Sequence, residues 1–554
     1  MKKFEKVIVN RPLGLICIFT ILGIITYYFG SFNLIGTAFL VVPLILFSYL
    51  LLDIENFNIG IIFFLIAILS CTIYYEPKFQ QEGAKEIRII EVTDKVILGK
   101  IDGRIVEVRN QSGSELEYGE KIYGVCKFKR NINLDRGHVG QVFLKKVLKR
   151  ENDLIYKIKN IPKKYYENLS ENFSSSESAL LNAVLWGDKE NLTYNQKDFL
   201  SDLGVIHLIC ISGFHIALLF SIIYKKFSFK IALSICTIYV ILVGASSSAL
   251  RALIMITLLK SSKRLFKTYD PLSSISLGAV ILLIYKPYNL FSMGFLLSFG
   301  GTLGIILFYK KLLEGFYMLP PKLNEYLSLG LSAQAFIYPI LVIAFGKFSI
   351  NFLISTFLVT PIIVILLQIL LISILIGGNL IGVIVFLINI IFMVFRGILV
   401  FLDKVVWVTP YLSPVFAIAY MTMFLWIYMS LKGFKKFKIG VYLVIPVLLL
   451  NLYVFGAKIR VVEDKWNKAI VIESGFKKVA LVNNNSDYFK KSIMKKEYVN
   501  EVIHLKKESQ FELTKRYSIS IEDNFNTITL MPENSDYDII DLIQKKSAYI
   551  LWLM

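Results

Sequence analysis

Charge is scarce in this sequence. Asp, Glu, Lys and Arg make up 18% of the 554 residues, against roughly 25% in an ordinary soluble domain. The shortage is local. Window after window carries no charge over the roughly 20 residues that cross a hydrocarbon core about 30 Å thick, which excludes a single soluble globule. Cysteine is scarce too. The five, Cys17, Cys71, Cys126, Cys210 and Cys236, form no Cys-x-x-Cys and no metal-ligand spacing, so neither a zinc site nor a disulfide framework is supported. Four of them lie in apolar segments, where a small buried hydrophobe is the ordinary role. No Gly-x-x-x-x-Gly-Lys-Ser/Thr loop occurs, so the chain has no phosphate-binding loop with which to drive transport itself. Repeats and low-complexity tracts are absent. No small-residue cleavage site follows the basic start Met1–Lys6, which reads as an anchor and not as a removable signal.

What is present is apolar and basic. Hydrophobic residues make up 55% of the chain, and 61 Lys and Arg against 41 Asp and Glu leave a net charge of +20. Two readings fit that excess: basic loops retained on the inner side of a membrane, or a polyanionic partner. Residues 12–30, 34–52 and 58–75 read as three crossings. Residues 77–166 change character, with charges every few positions and alternation in ILGKIDGRIVEVRN, EKIYGVCKFKR and GQVFLKKVLKR. A period near two with Gly and Asn-Ser turns predicts short strands, and the length suits a five-stranded barrel of the OB kind. Residues 167–202 read as a polar helical linker. Ten apolar stretches follow, at about 203–224, 228–246, 249–260, 271–286, 290–309, 325–345, 348–373, 376–401, 411–431 and 438–456. Alternating crossings put Lys225–Lys226, Lys260–Arg264, Lys310–Lys311 and Lys432–Lys438 on the inner side, which supports the count. Residues 457–554 alternate again. The expected fold is a polytopic α-helical membrane protein with an extracytoplasmic OB-like β-barrel insert and a small C-terminal α+β or mostly β domain. The expected divisions are 1–76, 77–166, 167–202, 203–456 and 457–554, with both soluble segments outside the cytoplasm.

Four apolar stretches are interrupted by polar residues. Leu203–Tyr224 contains His207, Ser212, Gly213 and His215. Ser-Gly weakens a helix, and imidazoles facing lipid are costly. Histidines that only bond neighbouring helices are the plain alternative. Gly244–Leu265 carries Arg251 after a Ser-rich break, where an arginine must snorkel outward, pair, or line a cavity. Gly294–Leu307 holds Gly294, Gly300, Gly301 and Gly304, which permit close helix approach. Ser332–Ile350 holds Gln334 and Pro339. Broken helices at membrane depth are tolerated where they line protein or water, so four in one bundle favour a translocation path over an inert anchor.

The ordered set resembles the ComEC competence family, the inner-membrane DNA-uptake channels of bacteria. The residues that carry the resemblance are HLICISGFHI (His207–Ile216), SSSALRA (Ser246–Ala252), PYNLFSMGFLLSF (Pro287–Phe299), and AQAFIYP (Ala333–Pro339) followed by Phe345-Gly346. The turn AVLWGDKENLT (Ala183–Thr193) precedes them. The resemblance covers about residues 5–456. It implies a competence-type channel in 203–456, in the multi-pass inner or plasma membrane of a bacterium. Many members end in a β-lactamase-like domain with a His-x-His-x-Asp-His metal motif. Residues 457–554 contain one histidine, His504, and no His-x-His, where a dinuclear site needs several ligands. A truncated or degenerate version without nuclease activity is therefore expected, with no catalytic residues, metal or cofactor.

The DNA reading gains from charge. Residues 121–164 hold 13 Lys and Arg against 3 Asp and Glu. Tyr123, Phe128, Phe143 and Tyr156 are interleaved, the mixture with which such barrels hold single strands. A solvated lysine surface is the alternative. Candidate DNA contacts are Lys127, Lys129, Arg130, Arg136, Lys145, Lys146, Lys149 and Arg150. Candidate path residues are His207, Ser212, Gly213, His215, Arg251 and Gln334, with the two histidines left between pore lining, helix bonding and proton sensing. The expected partners are single-stranded DNA, membrane lipid, an extracytoplasmic DNA receptor, and a cytoplasmic helicase or strand-binding protein that pulls. The expected function is import of single-stranded DNA during natural transformation. A transporter or flippase of another substrate is the alternative, and a metal-dependent membrane hydrolase using His207 and His215 is the third reading.

Overall fold

The computed structural model describes residues 11–554 apart from 77–78, 80–81, 94–95, 135, 210, 265–267, 376–381, 406–408, 432–443, 445, 447, 450, 465–466, 484–485, 505–508, 515–516, 523–526, 533–537, 542–548 and 552–554. The chain divides into two compact units, residues 1–336 with 352–405, and residues 337–351 with 406–554. It is a polytopic helical membrane protein with a barrel insert. Among the described residues six helices are long and apolar enough to cross a bilayer: Pro12–Gly30, Ile54–Tyr75, Met293–Gly315, Pro321–Phe345, Phe352–Ile374 and Gly382–Val405. Shorter apolar helices include Gly213–Tyr224, Phe229–Leu242 and Pro271–Tyr285. Large side chains stand out on helix exteriors, Phe39 82% exposed and Met393 69%, a pattern that suits lipid and not water. Nine of the 19 residues of the crossing expected at 438–456 lie outside the described residues, as does Cys210.

Three sequence expectations are corrected. Of the four interrupted stretches, 203–224 is broken as expected, between Ile206–Ile209 and a new helix from Gly213, whereas the other three run through the continuous helices Ser247–Arg264, Met293–Gly315 and Pro321–Phe345. The short stretch 249–260 extends to an 18-residue helix, Ser247–Arg264. The linker 167–202 is not uniformly polar. Its helix Ser175–Trp186 buries every residue from Ser178 to Trp186, because Ala, Leu, Val and Trp there cover all faces of the helix.

The insert begins where helix Ile54–Tyr75 ends. Strands β1 (Glu82–Val92), β2 (Ile97–Ile101), β3 (Arg104–Asn110), β4 (Lys121–Asn133) and β5 (His138–Glu151) close into a barrel in the order β1-β2-β3-β5-β4. The β3·β5 pair is parallel and the other pairs are antiparallel. Period-two alternation sends Ile87 and Ile89, Val106 and Val108, Ile122 and Cys126, and Val142 and Leu144 inward. The strands end at Glu151. Residues 154–170, at the tail of the expected 77–166 insert and the head of the linker, are two helices, Leu154–Lys159 and Ile161–Ser170.

Barrel and helices share one apolar core, in which Cys71 and Tyr75 join Ile87 and Val142 on one side and Leu283, Phe295 and Phe299 on the other. Polar contacts fix the junction. Arg104 donates to the carbonyls of Tyr74 (3.0 Å) and Ile73 (2.8 Å). These are orphan acceptors at a helix C-terminus, where a cation is also favoured by the dipole. Tyr74 donates to Gly137 O (2.9 Å) and Tyr75 to Leu134 O (3.0 Å). Gly137 has φ +69°, and a Cβ there would sit 2.5 Å from the Tyr288 ring.

Two helices cross closely at Gly304, where a Cβ would clash with Ser332 O. Gly304→Ala is expected to cost about 1–3 kcal/mol of stability through overpacking. Gly294, with nothing within 4 Å of its Cβ position, should accept alanine. Melting of the two variants in detergent checks this, and equal midpoints would refute the packing account.

In the second unit, β6 (Val454–Asp464), β7 (Asn467–Gly475), β8 (Lys477–Val482), β9 (Glu501–His504) and β14 (Tyr549–Leu551) form a sheet in the order β14-β6-β7-β8-β9. Helix Asp487–Glu497 packs Phe489 and Ile493 on Val471 and Val482 of that sheet. A four-stranded sheet, β10 (Ser509–Thr514), β11 (Tyr517–Glu522), β12 (Thr527–Pro532) and β13 (Asp538–Asp541), follows. The C-terminal part is thus α+β.

Candidate functional site

The break after Ile209 is organised by a helix cap. Ser212 has extended backbone (φ −118°, ψ 167°) and is the N-cap of helix Gly213–Tyr224. His215, at the third helical position, reaches back. Its Nδ1 accepts from Ser212 N–H (3.3 Å) and lies 3.0 Å from Ser212 Oγ. This is a capping box with imidazole where Glu or Gln is usual. Its Nε2 lies 3.1 Å from Val184 O. A carbonyl only accepts, so Nε2 carries the proton and Nδ1 is left as the acceptor: one neutral tautomer satisfies every contact. His215 is 1% exposed.

The carbonyl it meets belongs to the buried helix Ser175–Trp186, whose last carbonyls need donors. Ala183 O takes Gly187 N–H (2.8 Å), Val184 O takes His215, and Leu185 O takes the Tyr239 hydroxyl (2.6 Å). Gly187 turns the chain at φ +73°, and a Cβ there would lie 2.5 Å from Ile211. The turn motif at Ala183–Thr193 and the break motif at His207–Ile216 therefore form one packed junction.

Arg251 completes the cluster from helix Ser247–Arg264. Its Nε donates to Ser298 Oγ (2.7 Å), which donates to Ser248 Oγ (3.2 Å), and its Nη1 lies 3.5 Å from Met255 Sδ. A Cβ on Gly213 would sit 2.6 Å from Nη2, so the absent side chain at Gly213 is what admits the guanidinium. Among the described residues no carboxylate lies within ion-pair distance of Arg251. The guanidinium and the positive end of helix Gly213–Tyr224 thus meet without a negative group between them. Such a place suits an anion.

Ser212, Gly213, His215 and Arg251 are thus brought together. His207 and Gln334 are not. His207 bonds Gly204 O of its own turn (2.9 Å) and is exposed on the bundle surface. Gln334 lies on helix Pro321–Phe345 with a buried, unbonded Oε1. Sequence reading missed Tyr239, which sits in an unremarkable apolar run, and the carbonyl of Val184, which no sequence pattern marks. Ser248 and Ser298 stood inside the motifs without being singled out.

On the barrel, the candidate cations are exposed on β4, β5 and the connection between them. Most face carboxylates. Lys127 and Lys145 share Glu82 (3.1 and 3.7 Å), Arg130 meets Glu76 (3.8 Å), Lys149 meets Glu151 (2.8 Å) and Arg150 meets Glu120 (3.4 Å). The Lys127 ammonium beside Glu82 holds its carboxyl below the usual range. Exposed pairs contribute only about 0–1 kcal/mol each, so a phosphate can displace the carboxylate from such a cation. Lys129, Lys146 and Arg136 have no carboxylate partner among the described residues. Of the aromatics, Phe128 is turned inward against Phe79, with ring centroids 5.0 Å apart, and is withdrawn from stacking. Phe143 lies directly across from Lys127.

Residues 184–435 match the family described as "Competence protein". They belong to the competence protein family. The competence region takes in the cap, Arg251 and Gln334 alike. ComE operon protein 3 of Bacillus subtilis (strain 168) is 30% identical over 210 residues, 35% of this chain and 26% of that protein. The uncharacterized protein MG316 of Mycoplasma genitalium is 35% identical over 117 residues, 20% of this chain and 30% of its own length. Its homologue in Mycoplasma pneumoniae is 31% identical over 103 residues, 18% of this chain and 27% of that protein. The chain thus spans roughly a quarter to a third of the length of these relatives. No solved structure matches.

Proposed function

We propose that the protein is a membrane channel that imports single-stranded DNA during natural transformation. The observation that carries this reading is Arg251, a guanidinium set against the start of a broken helix with no carboxylate beside it among the described residues. A passing phosphate supplies the missing charge, and the Ser298–Ser248 chain holds the guanidinium in place. Family membership and the name of the Bacillus subtilis relative support the same reading.

The barrel is the receiving domain in this scheme. Its closed five-stranded barrel supports an OB-type reading, and its outward cations suit a strand's phosphates. It lies outside the cytoplasm, within reach of a DNA receptor, and the channel sits in the bacterial inner membrane. Pulling comes from a cytoplasmic helicase or strand-binding protein, because the chain carries no phosphate-binding loop. The C-terminal domain acts without nuclease chemistry, so another protein degrades the second strand. The deciding test is transformation of a deletion strain with and without the restored gene. Equal frequencies would refute import. Within the restored strain, Lys129→Glu with Lys146→Glu is expected to lower capture of labelled DNA about tenfold. Two lost phosphate contacts account for that factor, and the loss should shrink as salt rises.

A further inference from the structure

The barrel carries a cavity of about 240 Å³ at the end of β4 and the start of β5. Val96 and Ile132 line it with apolar surface, and Asn131, Asn133, Arg136 and His138 line it with polar groups. His138 is 7% exposed, and among the described residues nothing hydrogen-bonds its ring. Its ring nitrogens are not sealed in the core and open onto the cavity. An imidazole kept in that condition on a cavity wall is suited to a ligand.

The chemistry of the walls narrows the ligand. Burial, and then the nearby Arg136 charge, push the His138 imidazole below its ordinary range, with Glu107 opposing. The ring is therefore neutral at physiological pH and offers one donor and one acceptor. Glu107, also on the wall, is already engaged by Arg109 (2.7 Å) and Gln141 (2.9 Å). What remains is a set of amide and imidazole donors and acceptors beside the apolar Val96 and Ile132, with one cation, Arg136. A phosphate would call for donors and cations only. A neutral heterocycle with a mixed edge fits better. Drug-sized ligands fill roughly 300–1,000 Å³, so this cavity suits a single base and not a whole nucleotide.

We propose that the cavity takes one nucleobase of a single DNA strand, held along its edge by His138 and Asn131, with Arg136 beside the adjoining phosphate. The proposal rests on the DNA-import reading and deepens it. The β4–β5 connection is tied to helix Ile54–Tyr75 through Tyr74, Tyr75 and the Tyr288 contact. A base seated here anchors the strand on the bundle side of the barrel.

The test uses the full-length protein in lipid nanodiscs and three probes: a short single-stranded oligonucleotide, the same strand with abasic sites, and free nucleosides. The wild type should bind the normal strand about tenfold more tightly than the abasic one, the size of one well-held base. His138→Leu should erase that difference and leave abasic binding unchanged. Asn131→Ala, at an exposed position, should do the same. A preference that survives both substitutions overturns the base pocket and leaves import standing. Equal binding of both strands by the wild type does the same. Nucleosides that bind as tightly as the strand, with no loss on removing the strand's bases, assign the cavity to free nucleosides and overturn the strand proposal. Import fails separately, by normal transformation of the deletion strain.

Discussion

Arg251→Met is expected to reduce uptake of labelled single-stranded DNA by about tenfold to a hundredfold at unchanged protein level. A hydrogen bond to a charged group contributes about 1.5–3 kcal/mol, and each 1.4 kcal/mol is about a factor of ten. Methionine keeps the length and apolar stem while removing the charge, so packing against Gly213 and Met255 is disturbed little. The chief competing account is that Arg251 only ties helices together through Ser298. Ser298→Ala separates the two. It removes the 2.7 Å bond but leaves the guanidinium, so uptake should fall by no more than a few-fold. Lysine should restore part of the loss, since it keeps the charge but not the planar fork that reaches Ser298 and a phosphate together. Uptake measured against protein abundance decides, and normal uptake by Arg251→Met would remove the arginine from the path.

The second large effect is on folding. His215→Leu strips the partners from Ser212 N–H and from Val184 O, both at the inner junction. Each orphaned group costs about 1–3 kcal/mol, so the variant should be poorly stable, and little of it should reach the membrane intact. His215→Gln should recover most of the loss, because glutamine at the third helical position makes the same backward bond to the N-cap and has an amide N–H for Val184. The comparison also tests proton sensing. A cap works through hydrogen bonds, so uptake by the glutamine variant should follow the wild-type pH profile. A distinct profile would show that titration of His215 matters.

How far these residues were legible differs along the chain. The membrane helices could be read from apolar length, and the barrel strands from alternation, because both patterns are local. The break at Ser212-Gly213 was visible for the same reason: N-cap and glycine chemistry act within one turn. The meaning of His215 was not visible. Its second partner, Val184 O, is a backbone atom on a helix 31 residues away in sequence. The same holds for the lysines. Lys127 meets Glu82 because β1 and β4 pair in that register when the barrel closes, and composition records only that both are present. Phe128 and Phe143 differ by one step of the pleat, which sends one ring inward and leaves the other outside.

By itself, then, the sequence determined that this is a membrane-embedded helical protein with a β insert, a C-terminal segment that is α+β or mostly β, and a polar break at Ser212–His215. Hydrophobic length and period are properties of contiguous residues. Only the tertiary structure decided that the break is a capped helix start bonded to Val184. It alone showed that, among the described residues, Arg251 rests on Gly213 without a carboxylate and His138 lines a cavity unpartnered. Each of these depends on which distant groups arrive together to satisfy, or leave unsatisfied, a buried polar atom.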